Sequence, residues 1–172
     1  MLQVNSAGIS FRPALASDLG PLGRLLSALK LPVDGIEESW RRFTVAESAG
    51  KIVGVAGVEI YPDGALLRSV AVHPSARGTG LGRALVERAL VIAREAGAKE
   101  VYLLTTTAEG YFPRLGFSRV PREAVPATVQ TSVEFRGACP TSAIVMHRRL
   151  ERDAVGGAPP GRQALRRGRS DV

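Results

Sequence analysis

Glycines at positions 78, 80 and 82 stand between two arginines, Arg77 and Arg83, in a loop that joins an apolar strand to an amphipathic helix. The strand carries Val70, Ala71 and Val72 and is closed by His73 and Pro74. The helix starts at Leu81 and repeats apolar residues at Leu85, Val86, Ala89, Leu90 and Ala93. A helix start leaves backbone N–H groups without intrahelical partners, at the positive end of a dipole of roughly half a charge. That is a site for an anion, above all a phosphate or pyrophosphate. Glycine lets the backbone curl around such a ligand, and the two guanidinium groups add fixed positive charge. A solvated glycine turn that merely starts a helix is the other reading. Two familiar phosphate loops are excluded by spacing. A P-loop needs a Lys-Ser or Lys-Thr pair, which the chain lacks. A dinucleotide fingerprint begun at Gly78 or Gly80 meets Arg83 or Leu85 where its last glycine must stand.

A third pattern, Arg/Gln-x-x-Gly-x-Gly/Ala after a Val-x-Val-x-Pro strand, is met by Arg77, Gly80 and Gly82. On these residues the chain resembles the GNAT superfamily of acetyl-coenzyme-A-dependent N-acetyltransferases. A second block, Leu103-Leu104-Thr105-Thr106-Thr107-Ala108-Glu109-Gly110-Tyr111-Phe112-Pro113-Arg114-Leu115-Gly116-Phe117, resembles the GNAT stretch that ends in Gly-Phe. In many of those enzymes a tyrosine four residues before that glycine is a general acid beside the coenzyme sulfur. Phe112 holds this position here, and Tyr111 precedes it, one helical step of about 100° away. The Leu-Thr-Thr form of the block is similar to the acetyltransferase domain of N-acetylglutamate synthases. Three stretches are more similar still to a group of N-acetyltransferases encoded in bacterial arsenic-resistance operons. They are residues 66–72, residues 102–110, and Glu134-Phe135 followed by residues 139–143.

The resemblance implies an α/β (α+β) GNAT fold, a mixed central sheet with an antiparallel N-terminal meander and a parallel βαβ crossover that binds coenzyme A. It implies acetyl-CoA as cosubstrate, with no metal. Residues expected to hold it are Val70, Ala71 and Val72 along the pantetheine arm, Arg77, Gly78, Thr79, Gly80, Leu81, Gly82 and Arg83 at the pyrophosphate, and Phe112. Its acceptor is expected to be a small-molecule amine, an amino acid or a glutamate-like arsenical or phosphinate analogue, with arsenic resistance as the setting. A catalytically weak coenzyme-A-binding regulatory module and a peptide N-terminal acetyltransferase are the alternatives. GNAT proteins often dimerise, so a homodimer is a further expectation.

An α-amine is mostly protonated at pH 7, so its transfer chemistry gains from a base. Glu59 is the candidate, acting directly or through a water; an exposed strand glutamate is the other reading. Tyr111 is the second candidate catalytic residue. Arg68, two residues before Val70, is placed to grip a substrate carboxylate, phosphinate or arsinate, or else to make a cross-strand ion pair. Thr105, Thr106 and Thr107 offer hydroxyls to substrate or coenzyme, unless Thr106 or Thr107 caps the next helix. His73 is expected at a strand end, His147 in a structural role, and Cys139 either packed or bound to a trivalent arsenical.

The elements that position these residues are legible from periodicity. Strands are expected at 8–13, 43–48, 51–61, 65–73, 101–105, from 116 and at 143–150. Helices are expected after a cap at Ser17 or Asp18, over 35–42, from Leu81 to a stop at Gly97, and over 108–115. Parallel neighbours need a crossover, which the 81–97 helix supplies.

At 172 residues the chain suffices for one domain with a proper core. Residues 1–150 are read as that domain and 151–172 as a disordered, basic Gly/Pro/Arg-rich tail. No apolar run approaches the ~20 residues of a membrane span, and no signal peptide is expected, since residues 1–10 carry neither a positive n-region nor an apolar h-region. With a single cysteine it forms no internal disulfide, which suits the cytoplasm. The net charge of +7 is scattered or concentrated in the last residues, with no aromatic-interleaved stripe, so nucleic acid is not the expected partner.

Overall fold

The computed structural model of the chain describes residues 3–4 and 8–151. Among them, eight strands form one mixed sheet in the order β1-β2-β3-β4-β5-β6-β8-β7. The strands are β1 (Gln3–Val4), β2 (Ile9–Pro13), β3 (Phe43–Ser48), β4 (Lys51–Tyr61), β5 (Gly64–Val72), β6 (Glu100–Thr105), β7 (Ser118–Arg119) and β8 (Ile144–Arg149). The helices are α1 (Leu19–Ala28), α2 (Ile36–Ser39), α3 (Leu81–Glu95) and α4 (Ala127–Gln130). The first five strands run as an antiparallel meander, and α3 carries the chain over to β6, which is parallel to β5. The expected mixed sheet and crossover are therefore present.

Each face of the sheet is covered by a helix whose apolar stripe the sequence announces. Leu81, Leu85, Val86, Ala89, Leu90 and Ala93 of α3 are buried against Ala56, Val58, Ala65 and Leu67 of the sheet. Leu22, Leu25 and Leu26 of α1 bury against Phe43, Val45, Val55 and Ala71 on the opposite face. Alternation along β4 thus sends Ala56 and Val58 to α3, and Val55 and Gly57 to the α1 side. Ala49 and Gly50, both in the left-handed region, make the two-residue turn of the β3–β4 hairpin.

Two irregularities shape the middle of the sheet. Between the pairs Val55↔Ala71 and Gly57↔Arg68, β4 advances two residues while β5 advances three. The extra residue is a β-bulge, and Ser69 sits in it with φ of 55°. A bulge shifts side-chain parity, so Arg68 and Ala71 both belong to the α1 side of the sheet. Secondly, β5 pairs with β6 only at Ala65↔Val101 and Leu66↔Tyr102. Beyond those pairs β5 stays with β4 and β6 stays with β8, so the two central strands separate.

Several expected boundaries shift. The strand expected over 65–73 ends at Val72, because His73 caps the turn Pro74–Ala76 through a ring nitrogen that accepts the Ser75 N–H. The helix expected over 35–42 is α2 followed by a 3-10 turn, Trp40–Arg42. No continuous helix forms over 108–115; a turn leads into a 3-10 turn, Phe112–Leu115. Pro113 explains this, since its ring has no N–H to donate and obstructs the preceding turn. The strand expected from Gly116 is reduced to Ser118–Arg119. The basic tail expected after residue 151 lies outside the described residues. No helix among the described residues is long and apolar enough to cross a membrane.

Gly57 lets the Phe43 ring lie flat on β4: a Cβ there would sit 2.2 Å from ring atoms. Phe43 is 1% exposed, so it has nowhere to move. Gly57→Ala is expected to lower unfolding free energy by about 1–3 kcal/mol in urea titration, the usual effect of overpacking.

Candidate active site

The separation of β5 from β6 opens a cleft of about 820 Å³. The loop and first turn of α3, the exposed edge of β5, the end of β6 and the segment 138–140 line it. It joins two chemically different regions.

The first is the glycine loop. Gly78 and Gly80 adopt φ of 77° and 78°, conformations that side-chain-bearing residues rarely take. Gly80 is the N-cap of α3, and the helical ladder begins with the Ala84 N–H donating to the Gly80 carbonyl. The N–H groups before Ala84 have no intrahelical acceptor, which leaves them for an anion. The Thr79 hydroxyl does not join them; it donates to the Ala76 carbonyl at 2.7 Å and braces the loop. Arg77 and Arg83 are exposed beside the loop and line the cleft. Gly82 also leaves room: a Cβ there would lie 2.6 Å from the Tyr111 hydroxyl and 3.6 Å from Val72. The residues present therefore fit a diphosphate at the helix start, with Tyr111 standing over the first turn. Burial raises the Tyr111 pKa, although Arg83 opposes the shift.

Phe112 lines the cleft but belongs to the core, packed edge-on against Tyr111 and Phe117. Thr105, rather than Thr106 or Thr107, braces the turn that follows β6: its hydroxyl accepts the Ala108 N–H at 2.9 Å. Thr106 and Thr107 are exposed and line the cleft. Val70, Ala71 and Val72 present the β5 edge that has no strand neighbour on the β6 side.

The second region is a cluster of charges on the α1 side of the sheet. The Arg68 side chain is fully buried. Its Nη1 donates to Glu59 Oε1 at 2.6 Å, its Nη2 to the Asp34 carbonyl at 2.5 Å, and its Nε to Ser69 Oγ at 3.2 Å. A second carboxylate, Glu134, lies 3.6 Å from Nε. The anion that a buried guanidinium requires is thus supplied by the protein, the second of the two readings of Arg68. The cross-strand ion pair is the reading the geometry takes, with Glu59 on β4 and Arg68 on β5. Glu59 is not a free strand glutamate either: its second oxygen accepts the Tyr61 hydroxyl at 2.5 Å, and it is not among the residues lining the cleft. Burial and the Glu59 bond raise the Tyr61 pKa.

Glu134 and Cys139 do line the cleft, along with Lys30, Leu31 and Pro32 from the end of α1. Burial pushes the Glu134 carboxyl up to about 7, Arg68 pulling it down and Glu59 pushing it further up. Burial likewise pushes the Cys139 thiol up to about 12. His147 is bonded to Glu100 and stacks on Tyr102, away from the lining residues. No group of three or more His, Cys, Asp or Glu among the described residues is placed to hold a metal ion.

Known proteins are similar to this chain in sequence and fold. A family model described as an acetyltransferase (GNAT) domain matches residues 39–119. A protein of Chlorobaculum tepidum, described as an uncharacterized N-acetyltransferase, is 36% identical over 121 residues, 68% of this chain and 77% of the relative. An amino-acid acetyltransferase of Mycobacterium tuberculosis is 36% identical over 102 residues, 57% of each chain. Among solved structures, N-acetylglutamate synthase of Neisseria gonorrhoeae, complexed with coenzyme A and N-acetyl-glutamate, superposes with a TM-score of 0.74. That superposition covers 86% of this chain and 36% of the synthase, at 23% identity, and is a likeness of fold. A Mycobacterium tuberculosis protein in complex with CoA superposes with a TM-score of 0.69 and 28% identity, over 82% of this chain and 99% of that one.

Removing Arg68 would leave Glu59 and Glu134 buried without their cation. Arg68→Ala is expected to lower unfolding free energy by about 3–5 kcal/mol, the effect of breaking a buried pair from one side. Denaturant titration at neutral pH measures it, and a loss under about 1 kcal/mol would show the cluster to be solvated.

Proposed function

The chain belongs to the acetyltransferase (GNAT) family and is an acetyl-CoA-dependent N-acetyltransferase, and from that premise we propose that its acceptor is the α-amine of a small amino acid. The observation that carries this reading is the continuous cleft that links the α3 glycine loop to the buried Glu59–Arg68–Glu134 cluster. With both carboxylates ionised, that cluster holds two negative charges and one positive. It therefore favours an ammonium group at its end of the cleft. Lys30, exposed and lining the same cleft, offers a cation for the carboxylate of the same molecule. The relatives agree in kind: the mycobacterial one is an amino-acid acetyltransferase, and the gonococcal synthase holds N-acetyl-glutamate. The chain spans 57% and 36% of those two proteins, so their whole activities come to this chain only as a proposal.

In this reading the N–H groups at the start of α3 take the pyrophosphate, with Arg77 and Arg83 beside it. The free edge of β5 at Val70, Ala71 and Val72 receives the pantetheine arm as a neighbouring strand would be received, through backbone hydrogen bonds. A strand N–H near Val70 meets the carbonyl oxygen as it gains charge, the point at which a fixed donor contributes most. Tyr111 stands close enough to the loop to act on the coenzyme. Thr106 and Thr107 offer hydroxyls at the opposite wall. The glutamate-like class includes arsenical and phosphinate analogues, which connects the proposal to arsenic resistance. Residues 1–150 are taken as the catalytic domain, and 151–172 as a basic tail beyond it.

The decisive experiment is an acceptor panel scored by free thiol release from acetyl-CoA. It spans glutamate, other amino acids, glutamate-like arsinates and phosphinates, arylalkylamines and peptide N-termini. Small α-amino acids should give the highest kcat/KM; preference for uncharged arylalkylamines or for peptides would overturn the acceptor assignment. The coenzyme half is tested separately. A Cβ at Gly80 meets nothing within 4 Å, so Gly80→Ala acts through backbone strain alone. Left-handed alanine costs about 1–2 kcal/mol, so the free loop should relax out of that conformation and binding must restore it, raising the acetyl-CoA Kd by up to roughly 5- to 30-fold by calorimetry.

A further inference from the structure

Glu134 lies in a turn, Glu134–Ala138, that no periodicity in the sequence announces. It is 4% exposed and lines the cleft beside Arg68 and Cys139. Its contact with Arg68 Nε, at 3.6 Å, is longer than a hydrogen bond. That nitrogen already donates to Ser69 Oγ, and the other two nitrogens of the guanidinium donate to Glu59 and to the Asp34 carbonyl. Glu134 is thus held near a cation whose donors point elsewhere. Buried carboxylates in folded proteins have hydrogen-bond partners, and one that faces a cleft keeps its acceptor capacity for whatever enters. Glu59 differs: its two oxygens are taken by Arg68 and Tyr61, and it lies behind the cleft wall.

Resting on the acetyltransferase function, we propose that Glu134 is the catalytic residue that binds the acceptor ammonium and takes its proton, with Arg68 and Glu59 as the pair that positions it.

The ammonium gives one proton to a Glu134 oxygen and becomes the neutral amine. The nitrogen lone pair forms the C–N bond at the thioester carbonyl as the C=O electron pair moves to oxygen. When that pair returns, the C–S bond breaks, and the departing sulfur takes one of the remaining nitrogen protons. The products are the amide and the free thiol of coenzyme A. Glu134 then passes its proton to water, so one proton is released for each amine acetylated.

Surrounding groups suit Glu134 to this work. Desolvation pushes its carboxyl up to about 7, close to the pH at which it must both accept and release a proton. Arg68 opposes that shift and Glu59 reinforces it. Tyr61, behind Glu59, is raised further above its ordinary range and stays neutral. The Cys139 thiol, pushed up to about 12 by burial and by Glu134, with Arg68 and Arg122 opposing, also stays protonated. Neither competes for the proton. Glu134 accepts only when deprotonated, so kcat/KM should rise with pH through the neutral region and level off above it.

Glu134→Gln keeps the side-chain volume and removes the base. With the best acceptor of the panel it should lower kcat/KM by about 100-fold or more and abolish the ascending limb near neutrality. Glu134→Asp should retain that limb at reduced rate. Calorimetric affinity for acetyl-CoA should stay within about threefold of wild type in both, which separates lost catalysis from lost folding. A readout independent of turnover uses protein labelled with ¹³C at glutamate carboxyls. One resonance, absent from Glu134→Gln, should titrate near neutrality and shift when the acceptor is added without acetyl-CoA. If Glu134→Gln acetylates the acceptor as wild type does, with the same pH limb, or if that resonance ignores the amine, the assignment of Glu134 falls alone. If wild-type protein binds acetyl-CoA but acetylates no amine, the acetyltransferase reading falls and this assignment with it.

Discussion

The site depends on one constraint: β5 and β6 are parallel neighbours for two residue pairs and then part. A parallel pair must be joined by a crossover, and here that crossover is α3, which begins just beyond the end of β5. The helix start and the strand gap therefore open on the same edge of the sheet, where ligands of open α/β sheets generally bind. The bulge at Ser69 adds a residue to β5 and turns its parity over just before Val70 to Val72, the stretch that lies along the gap. Backbone groups that a continuous sheet would have consumed are left for a ligand. The two glycines in left-handed conformation then shape the loop beyond the strand.

Arg68 ties together parts of the chain that are far apart in sequence. Its guanidinium reaches the Asp34 carbonyl between α1 and α2, Glu59 on β4, Ser69 in the bulge and Glu134 in the turn before β8. Taking a charged group out of water is tolerable only when such partners replace its hydration. The same requirement fixes the geometry of Glu59, because its carboxylate must meet a planar fork of fixed shape. Even Gly35 answers to it, since a Cβ there would stand 3.0 Å from Arg68 Nη1. The charge cluster at the cleft is thus held together through one side chain.

The division of labour between Glu59 and Glu134 shows how environment separates two residues of one type. Glu59 is bonded at both oxygens, whereas Glu134 is buried, loosely paired and open to the cleft. Neither difference is visible in the side chain itself. It comes from the distance to Arg68 and from which surface each residue faces, and such differences set acid and base roles elsewhere in proteins.

Most of the scaffold and the glycine loop were legible from sequence because both are local. The α3 stripe from Leu81 to Ala93, the alternation along β4 and the Ala49-Gly50 hairpin depend on neighbours within a few residues. So do Arg77, the three glycines and Arg83, whose spacing is that of an expected anion site at a helix start and resembles the GNAT pattern. The helix expected over 108–115 failed for a local reason that was present in the sequence, the proline at 113. What only the tertiary structure decided is which charges meet. Arg68 and Glu134 are 66 positions apart, and residues 120–142 carry no period that would orient a side chain. Whether Arg68 awaits a substrate anion or already has its own, and which glutamate faces the cleft, depend on long-range packing across a bulge. Spacing along the chain encodes directions only within one element; distances between elements are set by how the sheet closes.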